Sequence, residues 1–399
     1  MDLGVCMPAW VIPHGYQFAG VVSRLRREPD RRDLALIVSE RPAACAGVFT
    51  QNRIAAAPVH LCRQRLPRTD ARGVVVCSGN ANACTGEQGY RDACRMAELA
   101  AAGLGCQPEQ VLVASTGVIG RMLPMPILET GIPQAVRRLA ASQEAVNDAA
   151  HAILTTDTVI KVADRTLAHG SHLLGIAKGA AMIGPNLATM LAFLMSDACV
   201  TPNDLQTILR RAAEKSFNRI SVEGHTSTND TVLLFANGHG PPLQGASLTE
   251  FAATVEDVCV ELAKAIARDA EGAQHLITLH VEGCRSDSDA VRMAKTIAES
   301  ALVKAAIYGA DPNWGRIVSA AGYSGVDFDE SDLSLWLGDM LLYRQGTPLP
   351  VDPAAASAYL RNQREVEIRV RLSQGSGNCT FWTCDLTPEY VRLNGDYTT

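Results

Sequence analysis

The side chains that could do chemistry are few and far apart along the chain. Thr189 lies in the most apolar stretch, Lys178 to Ala198, which reads K-G-A-A-M-I-G-P-N-L-A-T-M-L-A-F-L-M-S-D-A. A buried threonine hydroxyl usually just bonds the backbone, and it is a weak nucleophile unless a base stands beside it. A free α-amine on the same residue would be such a base, with a pKa of about 7.7–8.0. The run S-T-G-V-I-G at 115–120 follows a strand-like segment. A strand-to-glycine turn can present the N–H groups that an oxyanion needs, although a plain turn has the same spacing. Lys178 is either a solvated cation at the rim of the apolar stretch or a partner for a carboxylate. Glu271, in D-A-E-G, closes a long helical pattern, where a carboxylate opposes the helix dipole. His169 and His172 form an H-x-x-H pair, but no third ligand clusters with them in sequence, so a metal is not indicated. The run G-L-G-C-Q-P at 103–108 misses the dinucleotide fingerprint, because Pro108 replaces the third glycine.

These residues need elements to hold them. Pro185 and Asn186 break the central apolar run well short of the roughly 18 residues that a membrane span requires, and Pro185 ends any helix begun at Lys178. The stretch therefore reads as a buried strand or turn, then a helix or strand from near Leu187. Leu34 to Val38, Ala43 to Asn52, Gly73 to Cys77 and Gln110 to Ala114 read as strands, and G-V-V-V-C is apolar enough to be buried on both faces. Helical spacing covers 91–104, 126–141, 143–153 and 202–215, with Thr201 or Asn203 as a cap for the last. Ser247 and Glu250 read as a capping box opening a helix to about Ala270, and a further helix runs from Ser288 to Tyr308. His275 to Val281 alternates as a strand, as do Val366, Ile368, Val370 and Leu372 against charged neighbours. Residues 1–30 show no regular pattern.

The 399 residues suffice for two or three domains with real cores. A net charge of −6 and 5% aromatic residues argue against nucleic-acid binding, which needs a basic excess or stacking platforms. The opening M-D-L-G-V-C-M-P-A-W has no basic region ahead of an apolar one, so no signal peptide is expected. Twelve cysteines without a C-x-x-C pair read as reduced thiols in the cytoplasm.

Lys178, Gly179, Met182, Pro185, Ala188, Thr189 and Met190 spell K-G-x-x-M-x-x-P-x-x-A-T-M. With S-T-G-V-I-G, T-T-D-T, D-A-E-G and the terminal Y-V-R-L-N-G-D-Y-T-T in the same order, the chain from about Gly47 to Thr399 resembles the ornithine acetyltransferase, or glutamate N-acetyltransferase, family. The resemblance implies self-cleavage between Ala188 and Thr189, with Thr189 as the new amino-terminal nucleophile. It places Thr116 and Gly117 in the oxyanion hole. It makes Thr155, Lys178, Thr189, Glu271, Asn394 and Thr399 substrate contacts, with Thr156 an alternative to Thr155. The implied reaction moves acetyl from N2-acetylornithine to glutamate in arginine biosynthesis, by a ping-pong cycle through acetyl-Thr189. It needs no metal or organic cofactor; some members also take acetyl-CoA as donor, and the sequence leaves that open. The implied fold is an α/β sandwich with two central β-layers covered by helices, of the amino-terminal-nucleophile type. It would occupy residues 1–283, with a smaller C-terminal α/β domain over 284–399 whose tail returns to the site. The two cleaved chains should stay together and form homo-oligomers, with no nucleic-acid or membrane partner. An amino-terminal-nucleophile aminopeptidase or amidase, or an acyltransferase with a specialised acceptor, is the alternative. The chain departs from the family at E-G-H-T-S-T-N-D, Glu223 to Asp230, where His225 replaces a usual carboxylate.

Overall fold

A computed structural model describes residues 9–26, 28, 30–184 and 190–396. Ala188, Thr189 and Thr399 lie outside the described residues. The chain builds two sheets with helices against them. The first sheet comprises β1 (Tyr16–Val21), β2 (Leu34–Phe49), β3 (Arg68–Asn80), β4 (Val111–Val118), β5 (Lys161–Thr166), β6 (His172–Lys178), β7 (Leu191–Ser196) and β9 (Thr231–Ala236), while the short β8 (Ile220–Ser221) belongs to the second. Its order is β4-β3-β2-β9-β7-β6-β5, with β1 beside β2.

The long β2 organises this sheet. Its first half pairs with β1, its second half with β9, and β3 runs along its other side with a register shift between Val38 and Ala43. The sheet thereby folds over itself into two β-layers. Phe193, Leu233 and Phe235 from one layer share a core with Val74, Val76 and Leu112 from the other. Helices α2 (Gly86–Leu104) and α3 (Met125–Arg137) cover one outer face over Val75 and Val113. Helices α5 (Pro202–Lys215) and α6 (Gly245–Arg268) cover the other over Ala192 and Leu234. The shorter α1 (Ala57–Arg65) and α4 (Gln143–Ala152) close the edges. This is the layered α/β sandwich expected.

The second sheet is ordered β13-β12-β11-β14-β10-β15-β8. Its strands are β10 (Leu276–Cys284), β11 (Ser334–Leu337), β12 (Met340–Arg344), β13 (Thr347–Pro348), β14 (Glu365–Arg371) and β15 (Gly377–Cys384), joined to β8. In β14, Val366, Ile368 and Val370 are buried and the charged residues between them exposed. Helices α7 (Asp287–Glu299), α8 (Ala301–Tyr308) and α9 (Trp314–Gly322) pack on it, and α10 (Pro353–Asn362) and the tail helix α11 (Pro388–Asp396) complete the chain. Among the described residues no helix is long and apolar enough to cross a membrane.

Several elements differ from their sequence reading. Residues 1–30 contain β1, which is buried at five of its six positions and so shows no alternation. The helix expected from Ser288 to Tyr308 is two helices, because the Ser300 side chain accepts the Val303 N–H and starts a new one. Ser247 is not an amino-terminal cap. Helix α6 begins two residues earlier, at Gly245, and Ser247 Oγ receives the Gln244 N–H from within the first turn, at 3.2 Å. The loop expected over Gly309 to Arg316 turns helical at Trp314, capped by Asn313.

Candidate active site

One concave pocket collects residues that lie far apart in the chain, from Thr116 to Asn394. It is lined by Thr116 and Gly117 at the end of β4, Thr155 and Thr156 after α4, and Ala181 and Met182 after β6. Ile119 just past β4, Ser227, Thr228 and Asn229 before β9, Glu271 after α6 and Asn394 of α11 complete it. Five of the residues expected at a site are thus neighbours: Thr116, Gly117, Thr155, Glu271 and Asn394. Lys178 stands behind the lining, its Nζ donating to Thr155 Oγ1 at 2.6 Å. The segment through Ala181 and Met182 continues into 185–189, which holds Ala188 and Thr189.

The Thr116–Gly117 turn is set by backbone geometry. β3 and β4 run parallel until a bulge at Asn80, which pairs with both Thr116 and Val118. Bulges re-aim the strand at such points. Gly117 has φ +132°, and a Cβ there would lie 2.3 Å from the Gly79 carbonyl carbon, so only glycine fits. Asn229 ties this turn to the opposite wall. Its Nδ2 donates to the carbonyls of Ala81 and Ser115 at 2.6 and 2.7 Å, and its Oδ1 accepts from Thr228 Oγ1 at 2.6 Å. Met182, on the facing wall, sits at φ +58°, a conformation that costs a non-glycine residue on the order of 1–3 kcal/mol and clusters at functional sites.

Lys178 is 1% exposed, so its charge needs a partner. Asp157 supplies it at 3.8 Å and also takes Lys161 Nζ at 2.8 Å and the Gly179 N–H at 2.6 Å. Burial alone would push the Asp157 carboxyl up, but Lys178 and Lys161 hold it well below the usual carboxylate range. Burial, with Lys161 and Arg26 adding repulsion, draws Lys178 down against the pull of Asp157. Lys161 also pairs with Asp269 at 2.6 Å, just past α6. Asp157 thus fixes both Thr155, whose N–H it accepts at 3.0 Å, and Lys178. Arg26, from the stretch without sequence pattern, and Arg31, just after it, donate to the carbonyls of Leu154 and Thr155 respectively.

The tail reaches the site through Glu271. Its Oε2 accepts from Asn394 Nδ2 at 2.8 Å, and its N–H donates to the Ala180 carbonyl at 2.9 Å. The next residue, Gly272, has φ +68°, and a Cβ on it would come within 2.6 Å of the Tyr390 N. The absent side chain is what lets α11 dock beside Glu271.

Two carboxyls from the 222–231 connection brace the flanks of 185–189. Glu223 Oε1 accepts the Ile183 N–H at 2.6 Å, and Asp230 Oδ1 accepts the Met190 N–H at 3.0 Å. Burial pushes Glu223 up to about 7 and Asp230 well above its ordinary value. His225, where the chain departs from the family motif, is exposed and does not line the pocket. Sequence reasoning missed Asp157, Glu223, Asp230 and Asn229. T-T-D-T hinted at Asp157 and T-S-T-N-D at Asn229 and Asp230, as polar residues crowded beside apolar strands, and Glu223 opens the run E-G-H-T-S-T-N-D.

A pocket with a cation, a carboxylate and a glycine turn, beneath a sandwich of two β-layers, defines a site suited to an amino-acid head group and acyl chemistry. The ArgJ family profile matches residues 17–399. The chain is 47% identical to the arginine biosynthesis bifunctional protein ArgJ of Thermosynechococcus vestitus, over 96% of each chain. It is 48% identical to that of Symbiobacterium thermophilum, over 97% of this chain and 98% of the other. The crystal structure of the Bacillus halodurans protein of the same name aligns with a TM-score of 0.50 and 41% identity, covering 51% of this chain and 98% of that one. The chain belongs to the ArgJ family.

Proposed function

We propose that this chain transfers acetyl from N2-acetylornithine to glutamate through an ester on Thr189, after cutting itself between Ala188 and Thr189. Membership of the ArgJ family makes it an acetyltransferase of arginine biosynthesis; the substrates, the cut and the covalent step are the finer reading. The observation that carries it is the single pocket joining Thr116, Gly117, Thr155, Glu271 and Asn394, with Lys178 one hydrogen bond behind.

In self-cleavage the Thr189 hydroxyl attacks the Ala188 carbonyl, the C–N bond breaks, and water hydrolyses the resulting ester. This leaves a carboxylate on Ala188 and a free amine on Thr189, the base a threonine nucleophile needs. In transfer the hydroxyl oxygen attacks the acetyl carbon, its proton passes to the amine, and the oxyanion is received by the Thr116–Gly117 turn. The amide C–N bond then breaks, and ornithine leaves with that proton. Glutamate enters the same pocket, and its amine takes the acetyl group by the reverse steps. Donor and acceptor share an α-amino acid head, so one set of groups serves both: Lys178 and Thr155 on the carboxylate side, Glu271 and Asn394 on the amine side. The half-length Bacillus halodurans chain also supports the cut, since a break at 188/189 leaves pieces of 188 and 211 residues.

Initial rates at varied acetylornithine and glutamate should give parallel double-reciprocal plots. Acetylornithine alone should add one acetyl mass to the 189–399 chain and none to 1–188. Intersecting plots without an acetylated chain after rapid quenching mean direct transfer and remove Thr189 from this role.

A further inference from the structure

At the far end of the first sheet a second cluster has no part in this chemistry. The active-site residues lie where β6 ends and β7 and β9 begin. The opposite ends of these strands carry His172, Asp197 and His239, and the segment entering β1 carries His14. The six residues of β7 separate the two ends by roughly 20 Å.

Asp197 is 2% exposed and organises the cluster. Its Oδ2 accepts the His14 N–H at 3.0 Å, its Oδ1 the His172 N–H at 2.7 Å, and its carbonyl the His239 N–H at 2.9 Å. One ring nitrogen each from His14 and His172 and a carboxylate oxygen of Asp197 lie within 4.8 Å of one another. The His14 ring is 5.8 Å from that of His172 and 5.9 Å from that of His239. Thr166 Oγ1 lies 3.1 Å from His172 Nδ1, which leaves Nε2 for an outside partner. Among the described residues the rings of His14 and His239 form no hydrogen bond at all. Asn237, whose Nδ2 donates to the His14 carbonyl at 2.8 Å, is buried with its Oδ1 unpartnered.

From this geometry we infer a binding site for a zinc-class divalent transition metal, with His14, His172 and Asp197 as ligands and His239 poised as a fourth. Imidazole and carboxylate donors suit such an ion. A hydroxyl on the second ring nitrogen is the outer contact that metal-bound histidines use to fix their tautomer and orientation. Metal–ligand bonds of about 2.0–2.1 Å put tetrahedral ligands roughly 3.3 Å apart, so loading needs the cluster to close by about 1.5 Å. The exposed His14 ring is free to make that movement. The ion would staple the segment entering β1 to the ends of β6 and β7. His169, the other half of the H-x-x-H pair, stays out of it and faces Glu250 at 3.8 Å.

The test uses full-length protein dialysed against a chelator, then titrated with Zn2+ by calorimetry and with Co2+ by visible absorption. One equivalent should bind, with a ligand-field spectrum and a raised Tm. His14→Ala and His172→Ala should each weaken binding roughly 100-fold or more, and Thr166→Val about 10–100-fold. Apo Tm and acetyl transfer should stay at the wild-type level in His14→Ala, and His225→Ala should bind as wild type does. Asp197 is left intact because its carboxylate also holds two backbone N–H groups. No stoichiometric binding, or a stoichiometric site that His14→Ala and His172→Ala leave unchanged, overturns the assignment.

Discussion

Thr116 and Glu223 show how single residues carry load of different kinds. Thr116 is buried at the bulge beside Gly117 and faces the pocket where an oxyanion would form. An oxyanion exists only in the transition state, so Thr116→Ala should lower kcat on the order of 10²-fold with little change in KM. Steady-state kinetics on protein first checked for cleavage decides it; a large rise in KM at unchanged kcat makes Thr116 a ground-state contact. Glu223 acts through stability. Burial raises its pKa from the ordinary 4.5 to about 7, against the backbone donors and Lys304, which lower it. The folded protein therefore holds a proton that the unfolded chain releases between about pH 4.5 and 7. Stability from this group is fully present below pH 4.5 and is lost as pH rises through 7. The loss amounts to at most about 3 kcal/mol, at 1.36 kcal/mol per unit. Glu223→Gln keeps an acceptor for the Ile183 N–H and removes the titration. Its urea midpoint should fall less between pH 5 and pH 8 than that of the wild type. Equal slopes would show that Glu223 ionises freely in the fold.

At the scale of elements, what the sequence disclosed divides by range. β14 and the strand G-V-V-V-C were legible because alternation or a continuous β-branched run is a local signal. The pocket residues Thr116, Gly117, Thr155, Glu271 and Asn394 were named through the family resemblance that their short motifs carry; local pattern alone left a plain turn and a helix end there. Asp157 was not. Its meaning lies in Lys161, Lys178, Thr155 and Gly179, brought together only when β5, β6 and the loop after α4 converge. The metal-like cluster was hidden in the same way, since His172 meets His14 and Asp197 and not its sequence neighbour His169. Nor could periodicity find the break at Ser300, where no glycine or proline interrupts the helical pattern. The convergence on Asp157 makes a prediction for the elements it joins. Both Lys161 and Asp157 side chains are 0% exposed, and removing one member of a buried pair typically costs about 3–5 kcal/mol. Asp157→Ala should destabilise the protein by that order in chemical denaturation. Where it still folds, KM should rise for acetylornithine and glutamate alike, since Thr155 and Lys178 lose their common anchor. An unchanged KM for both substrates would show that Lys178 and Thr155 keep their places without Asp157.

At the scale of the molecule, the sheet order decides what a cut between Ala188 and Thr189 can do. Strands β1 to β6 precede that bond, and β7 and β9 follow it, yet β9 and β7 lie between β2 and β6. The later piece is therefore inserted into the sheet of the earlier one. Six backbone pairs join β6 to β7 from Leu173↔Ser196 to Lys178↔Leu191, and six more join β2 to β9. Phe193, Leu233 and Phe235 of the later piece are packed in the core formed with Val74, Val76 and Leu112 of the earlier one. Each buried aromatic or aliphatic side chain contributes about 1.5–3 kcal/mol, so separation would dismantle the central core. Freshly purified protein should give two intact masses, residues 1–188 and 189–399, with Thr189 at a new amino terminus. The two should co-elute under native conditions and part only in denaturant. Thr189→Ala should remain a single, inactive chain with the same fold. A full-length species that is fully active would sink the self-cleavage. Two pieces that separate without denaturant would show that the cut dismantles the shared sheet.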